Sequence, residues 1–137
     1  MTTSTMTQTL DPEQTYVHLT AEGEAAIVPG GAAFWQQGEE AVDAFGRGWL
    51  ITESGGASDW PHWEMHPEAD EFVYLLSGAA DFVLQLPEGV KTLHLRDRAA
   101  VVVPRGVWHT AKLHGPTRLF FVTMGAGTQH RPIEQNE

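Results

Sequence analysis

Trp60-Pro61-His62-Trp63-Glu64-Met65-His66 is the stretch on which the reading of the whole chain turns. In an extended strand successive side chains face opposite sides, so Trp60, His62, Glu64 and His66 share one face while Pro61, Trp63 and Met65 take the other. Three groups able to hold a metal ion then lie side by side. Pro67 bends the chain, and Glu71 opens a second strand whose same-parity partners, Val73 and Leu75, are apolar. One carboxylate therefore stands at the mouth of an otherwise greasy interior. Far downstream, the turn Pro104-Arg105-Gly106 precedes Trp108-His109-Thr110, and the neighbours in phase with His109, Ala111 and Leu113, are small or apolar. His109 looks inward too.

Glu64, His66, Glu71 and His109 together offer two imidazoles and two carboxylates. This mixed nitrogen and oxygen set suits a divalent transition metal: iron, manganese, nickel, cobalt or zinc. Calcium would want more oxygens, and magnesium would keep more of its water. Four protein ligands leave one or two positions open on a five- or six-coordinate ion, as chemistry on a small molecule requires. Each residue also has a plainer reading. The His-x-Glu-x-His strand could be a solvated outer face with Trp63 and Met65 buried behind it; Glu71 alone could be a surface carboxylate, and His109 alone a hydrogen-bonded core residue. His62 shares the ligand face and could be a fifth ligand, a catalytic proton-transfer group or a pocket donor. Trp60 and Trp108 either wall an aromatic pocket or simply pack.

The run Glu64-Met65-His66-Pro67-Glu68-Ala69-Asp70-Glu71, separated by six residues from Gly78, resembles the first cupin motif, and Pro104-Arg105-Gly106-Val107-Trp108-His109 resembles the second. The motifs cover residues 64–109, and the flanking strands extend the resemblance over about 20–125. It implies an all-β fold, an antiparallel jelly-roll β-barrel, with a metal held inside by Glu64, His66, Glu71 and His109. Three positions depart from the family pattern. Glu64 stands where the first His is usual, which makes the site more anionic. Arg98 stands where a Gly is expected in the turn before Pro104, and Leu113 replaces an Asn often found four residues after the last His. The fold hosts dioxygenases, isomerases, decarboxylases, lyases, sugar binders and storage proteins, so the resemblance does not choose a reaction. It leaves two hypotheses, a metal-dependent enzyme acting on a small oxygen-bearing molecule and a non-catalytic binding or regulatory module. Arg105 and Lys112 are the nearest candidates for a cationic substrate anchor.

The wider sequence agrees with one barrel. From Tyr16 onward short apolar runs are cut by Gly, Pro and Asp clusters at the spacing of a sandwich or barrel. The runs are 24–28, 48–52, 60–66, 71–77, 80–86, 91–95, 99–103, 108–113 and 118–124, and only 32–37 and 39–45 could be short helices. These assignments give a flexible leader over 1–14, a barrel over 15–125 and a tail over 126–137, in which Gly127-Thr128-Gln129-His130 could fold back over the barrel mouth. Core packing is expected of Trp35 and Trp49, and surface or edge positions of His18, His94 and His114. Strands apolar on both parities, such as Leu119 and Phe121 against Phe120 and Val122, exceed what one small interior can cover and predict a homodimer.

Composition narrows the function classes further. With 137 residues, 42% hydrophobic and 19% charged, the chain fits one ordinary domain. It has no cysteine, which excludes disulfides, thiolate-held metals and a cysteine nucleophile. A net charge of -10 repels polyphosphate and argues against nucleic acid as a partner. No apolar run is long enough to span a membrane, and the N-terminus lacks the pattern of a signal peptide, so a cytoplasmic protein with a small-molecule partner is expected. Neither a nucleophile elbow nor a phosphate-binding glycine loop is present.

Overall fold

The computed structural model describes residues 8–134. Eleven strands and two single-turn helices follow one another among them: β1 (Thr15–Leu19), β2 (Ala25–Pro29), α1 (Ala32–Trp35), α2 (Glu39–Asp43), β3 (Trp49–Gly56), β4 (His62–Met65), β5 (Glu71–Ser77), β6 (Ala80–Leu86), β7 (Gly89–Leu95), β8 (Ala100–Val103), β9 (His109–Leu113), β10 (Thr117–Thr123) and β11 (Gln129–Pro132). A six-stranded sheet in the order β2-β1-β3-β10-β5-β8 faces a five-stranded sheet in the order β11-β4-β9-β6-β7. Neighbouring strands are antiparallel throughout. This is the jelly-roll arrangement expected from the sequence.

Alternation builds the core. Val73 and Leu75 of β5 with Leu119 and Phe121 of β10 point from one sheet; Phe82 and Leu84 of β6 with Ala111 of β9 meet them from the other. Truncating one of these leucines to alanine would cost roughly 2–5 kcal/mol. A second cluster, Tyr16, Phe34, Val42 and Leu50, joins β1 and β3 to the two helices and closes one end of the barrel. Gly78 makes the β5–β6 turn at φ 85°, where a Cβ would run into the Pro116 carbonyl, so a side chain there is excluded twice over. The turn before β8 uses no glycine: Asp97 and Arg98 both take positive φ, 54° and 63°. Arg98 is held there by its hydrogen bond to the Tyr74 hydroxyl, with its guanidinium 5.4 Å from that ring's centroid.

Several local expectations change. The helices are shorter than 32–37 and 39–45 because Gly38, at φ 81°, separates them. Trp35 is not core: its ring is 40% exposed, tethered by Nε1 donating to the Tyr16 hydroxyl at 2.8 Å. His18 is not a surface residue but is buried, stacked on Phe45 at 4.9 Å between centroids. β1 and β11 were not read as strands from sequence. β11 pairs with β4, matching His130 to Glu64 and Pro132 to His62, so residues 129–132 cover the side of the barrel that carries the candidate ligands. Phe120, Val122, Phe72 and Val102 lie on the outer side of the six-stranded sheet, and Phe72 and Val102 are exposed. No helix among the described residues is long and apolar enough to cross a membrane.

Candidate metal centre

Three strands from the two sheets deliver the four sequence-predicted donors to one point. β4 carries Glu64, with His66 just past its end; β9 opens with His109, which pairs directly with Glu64; β5 opens with Glu71 on the opposing sheet. His66 Nε2 lies 3.0 Å from Glu64 Oε1 and 3.3 Å from Glu71 Oε2. His109 Nε2 lies 3.3 Å from Glu71 Oε1 and 3.6 Å from Glu64 Oε1. His66, Glu71 and His109 are buried and Glu64 nearly so.

Hydrogen bonds from behind fix the orientation of each group. His109 Nδ1 donates to the Val107 carbonyl at 3.1 Å; a carbonyl only accepts, so the proton sits on Nδ1 and Nε2 faces the carboxylates. His66 Nδ1 lies 2.8 Å from Thr128 Oγ1, Thr123 Oγ1 donates to Glu71 Oε2 at 2.6 Å, and His130 Nε2 meets Glu64 Oε2 at 2.7 Å. Outer hydrogen bonds of this kind hold ligand side chains in metal sites. Glu71 Oε1 and His109 Nε2 are fully buried and face each other at 3.3 Å, with no hydrogen-bonding group from outside the quartet on either atom.

The electrostatics are those of a balanced quartet. Burial pushes Glu71 upward, but the charge of His66 and hydrogen bonds from His109 and His66 overcome it and bring the carboxyl to about 2. Glu64 is likewise driven well down against its burial, by His66, His109 and His130. Burial opposes protonation of His109, yet hydrogen bonds to Glu64 and Glu71 raise it to about 9; His66, beside Glu71 and Glu64, also rises well above its ordinary value. Two carboxylates thus hold two protons on two imidazoles. One dication would replace those two protons with no change in net charge, so the donor set fits a divalent metal.

The quartet is reached from a cavity of about 760 Å³. Trp35, Val42, Leu50, Trp60 and Phe121 form its apolar walls, and His62, Glu64, His66, Glu71 and His130 its polar side; His109 lies behind them. Trp60 is therefore a pocket wall, in ring contact with Phe82 and Phe121 as well as His62. Trp108 is not; it lies under the Arg131 guanidinium, 4.8 Å from its ring centroid. His62 is half-buried, edge-on to His130 at 4.6 Å, and its basicity is lowered first by burial and then by His130. Neither predicted anchor reaches the cavity. Arg105 is exposed and tied to Asp70, Lys112 is exposed on β9, and the cation that does line the cavity is Arg131, which bonds Gln85 at 2.6 Å. Sequence reading missed Thr123 and Glu39 as members of this region, and left Thr128 and His130 between a segment folded over the barrel mouth and a frayed tail; β11 takes the first course. Thr123 was in principle legible, being in phase with Leu119 and Phe121.

A sequence model of the family described as "Cupin domain" matches residues 49–132. The chain belongs to the cupin family. Among curated proteins no relative matches this cupin. Solved structures resemble it in fold at low identity. A cupin-2 domain protein from Shewanella frigidimarina is 14% identical over 56% of this chain and 70% of its own, with a TM-score of 0.48. A hydroquinone 1,2-dioxygenase from a Sphingomonas species, with 4-hydroxybenzoate bound, is 18% identical over 56% of this chain and 59% of its own, TM-score 0.47. An oxalate oxidase is 16% identical over 61% of this chain and 45% of its own, TM-score 0.50. The region shared with these two enzymes is thus well under two thirds of their length.

Proposed function

We propose that this cupin is a metal-dependent enzyme acting on a small oxygen-bearing molecule, of dioxygenase, isomerase or lyase type. Glu64, His66, Glu71 and His109 hold one divalent transition metal. The observation that carries this reading is the convergence of four donor atoms, from Glu64, His66, Glu71 and His109, within 4.8 Å of one another beside an open cavity, their mutual contacts including Glu71 Oε1 and His109 Nε2 at 3.3 Å. When bound, the ion supplies Lewis acidity or, if redox-active, electrons for oxygen chemistry. The chain's own residues do the rest. Trp60, Phe121 and Leu50 exclude water and pack the apolar body of the substrate. His62, on the cavity side and lowered in basicity by burial, takes a proton as the neutral imidazole and returns it as the imidazolium. Two carboxylates at the polar side disfavour a further strong anion, so a neutral or weakly acidic enol, diol or keto compound fits best.

The test begins with elemental analysis of protein grown with iron, manganese, nickel, cobalt and zinc. A panel of such compounds is then followed for product and oxygen uptake in wild type and His62→Ala. An ion still held by Glu64, His66, Glu71 and His109 in His62→Ala, with turnover lost, supports the enzyme. The second reading is a binding module, favoured by the engagement of Arg131 with Gln85 and Trp108, which leaves the substrate no evident charged anchor among the described lining residues. A compound bound and released unchanged, with none turned over, selects it. Self-association through the outer side of the six-stranded sheet belongs to the same proposal. Leu19, Trp49, Ile51, Phe72, Val102 and Val122 form an apolar groove there, suited to a second copy. Sedimentation as a 15 kDa species at high concentration would remove the dimer.

A further inference from the structure

Glu64 divides its two oxygens between two pairs of imidazoles. Oε1 faces His66 Nε2 at 3.0 Å and His109 Nε2 at 3.6 Å, inside the quartet. Oε2 faces the other way, to His130 Nε2 at 2.7 Å, and His130 in turn touches His62 edge-on at 4.6 Å between ring centroids. His62, Glu64 and His130 each present a donor atom within 4.8 Å of the others, all partly buried on the polar side of the cavity. His130 is mounted as His66 and His109 are. Its Nδ1 side is turned to an outer acceptor, Glu39 Oε2 at 3.5 Å, and its Nε2 is presented to the carboxylate. Glu39 also accepts the His130 backbone N–H at 2.7 Å, so α2 pins both the strand and the ring.

We infer that His62, His130 and the outer oxygen of Glu64 form a second divalent-cation site, joined to the first through the Glu64 carboxylate. This rests on the four-donor reading of Glu64, His66, Glu71 and His109. It accounts for the main departure in the first motif. An imidazole at position 64 would present one nitrogen to one ion, whereas a carboxylate presents two oxygens and can serve two ions at once. Two imidazoles and one carboxylate oxygen suit the same class of borderline metal as the quartet, and Glu39 places a further negative charge beside the second ion. Because His62, Glu64 and His130 line the cavity, both ions would border one substrate space.

Chelator-stripped protein is titrated with cobalt(II), bound metal being counted after equilibrium dialysis and followed by visible absorption. Wild type is expected to take up two equivalents, and His62→Ala and His130→Ala one each. His130→Asn, which keeps a polar side chain on β11, is expected to match His130→Ala and guards against damage to the strand. Saturation of wild type at one equivalent, kept in His62→Ala and His130→Ala but lost in His109→Ala or Glu71→Gln, overturns the second site and leaves the four-donor reading standing. A second equivalent that survives in both His62→Ala and His130→Ala lies elsewhere and also overturns it. Uptake of no cobalt overturns both.

Discussion

The protein places histidines around carboxylates twice, with opposite results. On the outer face of β6, Asp81 receives His94 Nδ1 at 2.7 Å on one oxygen and His114 Nε2 at 2.8 Å on the other, with Arg96 nearby; both imidazoles are exposed. At the quartet, Glu64 and Glu71 meet His66 and His109 at 3.0 to 3.6 Å, but with both imidazoles buried. The residue types are the same. What differs is the alternative open to each atom. At Asp81 both imidazoles stand in solvent, where water competes for their nitrogens, so the pairing is worth little. In the quartet both imidazoles are buried and aimed at the two carboxylates, so the groups are preorganised for a cation that takes the place of their protons.

The sharpest way to break this contrast is to remove one imidazole from each cluster. His109→Ala should weaken divalent-metal binding by more than about 100-fold, beyond the roughly 10–100-fold that a lost outer hydrogen bond costs. His94→Ala should leave it unchanged. Equilibrium dialysis of both variants against zinc checks this, and equal losses would mean that the ion is not in the quartet.

Protons give the next test. His109, raised to about 9, and His66, raised well above its ordinary value, are protonated at pH 7 in the metal-free protein. Each must lose that proton to coordinate. Metal affinity should therefore climb by about tenfold per pH unit for each proton released, the part that belongs to His109 levelling off above about pH 9. Calorimetry at pH 7 in two buffers of different ionisation enthalpy should register release of one to two protons per ion. A binding heat independent of buffer would mean that the imidazoles do not ligate.

A smaller effect separates the orienting groups from the donors. Thr128→Val removes the partner of His66 Nδ1 while leaving every donor in place, and should cost roughly 10-fold in metal affinity with little change in fold. Thr128→Ser should restore it. An unchanged affinity in Thr128→Val would show that packing alone fixes the His66 ring.

The sequence made the four donors legible because a strand has period two: once Glu64 and His66 share a face with apolar inward neighbours on β5 and β9, their convergence needs only that the strands be adjacent. The spacing of the breakers pointed to a sandwich or a barrel, and the resemblance of the two motifs chose the jelly-roll barrel. Thr128 and His130 were not legible in the same way. Their roles depend on β11 pairing with β4, a contact across 66 residues between His130 and Glu64, and a short polar strand after two glycines carries no periodic signal of its own. His18 failed for a related reason. A lone histidine reads as surface until Phe45, from a segment without regular structure, is seen to cover it. Trp35 erred the other way, since a tryptophan held by its indole N–H can leave its ring in solvent.

The smallest expected effect belongs to Asp81 and completes the contrast. Partial burial pushes this carboxyl upward, but hydrogen bonds from His94 and His114 prevail and bring it from 3.8 to about 2. A carboxyl whose folded value lies below its unfolded one stabilises the fold at pH above the unfolded value, and that stabilisation fades as pH falls through the folded one. Asp81→Asn should accordingly cost about 1 kcal/mol at pH 5, kept small by the exposure of both imidazoles. The difference from wild type should shrink steadily between about pH 4 and pH 2 as Asp81 protonates in both states. Urea unfolding of the two metal-free proteins across that range measures it, and metal content at pH 7 should be identical. A cost of several kcal/mol, or one that does not decline towards pH 2, would place Asp81 with the buried carboxylates and remove the distinction between the two clusters.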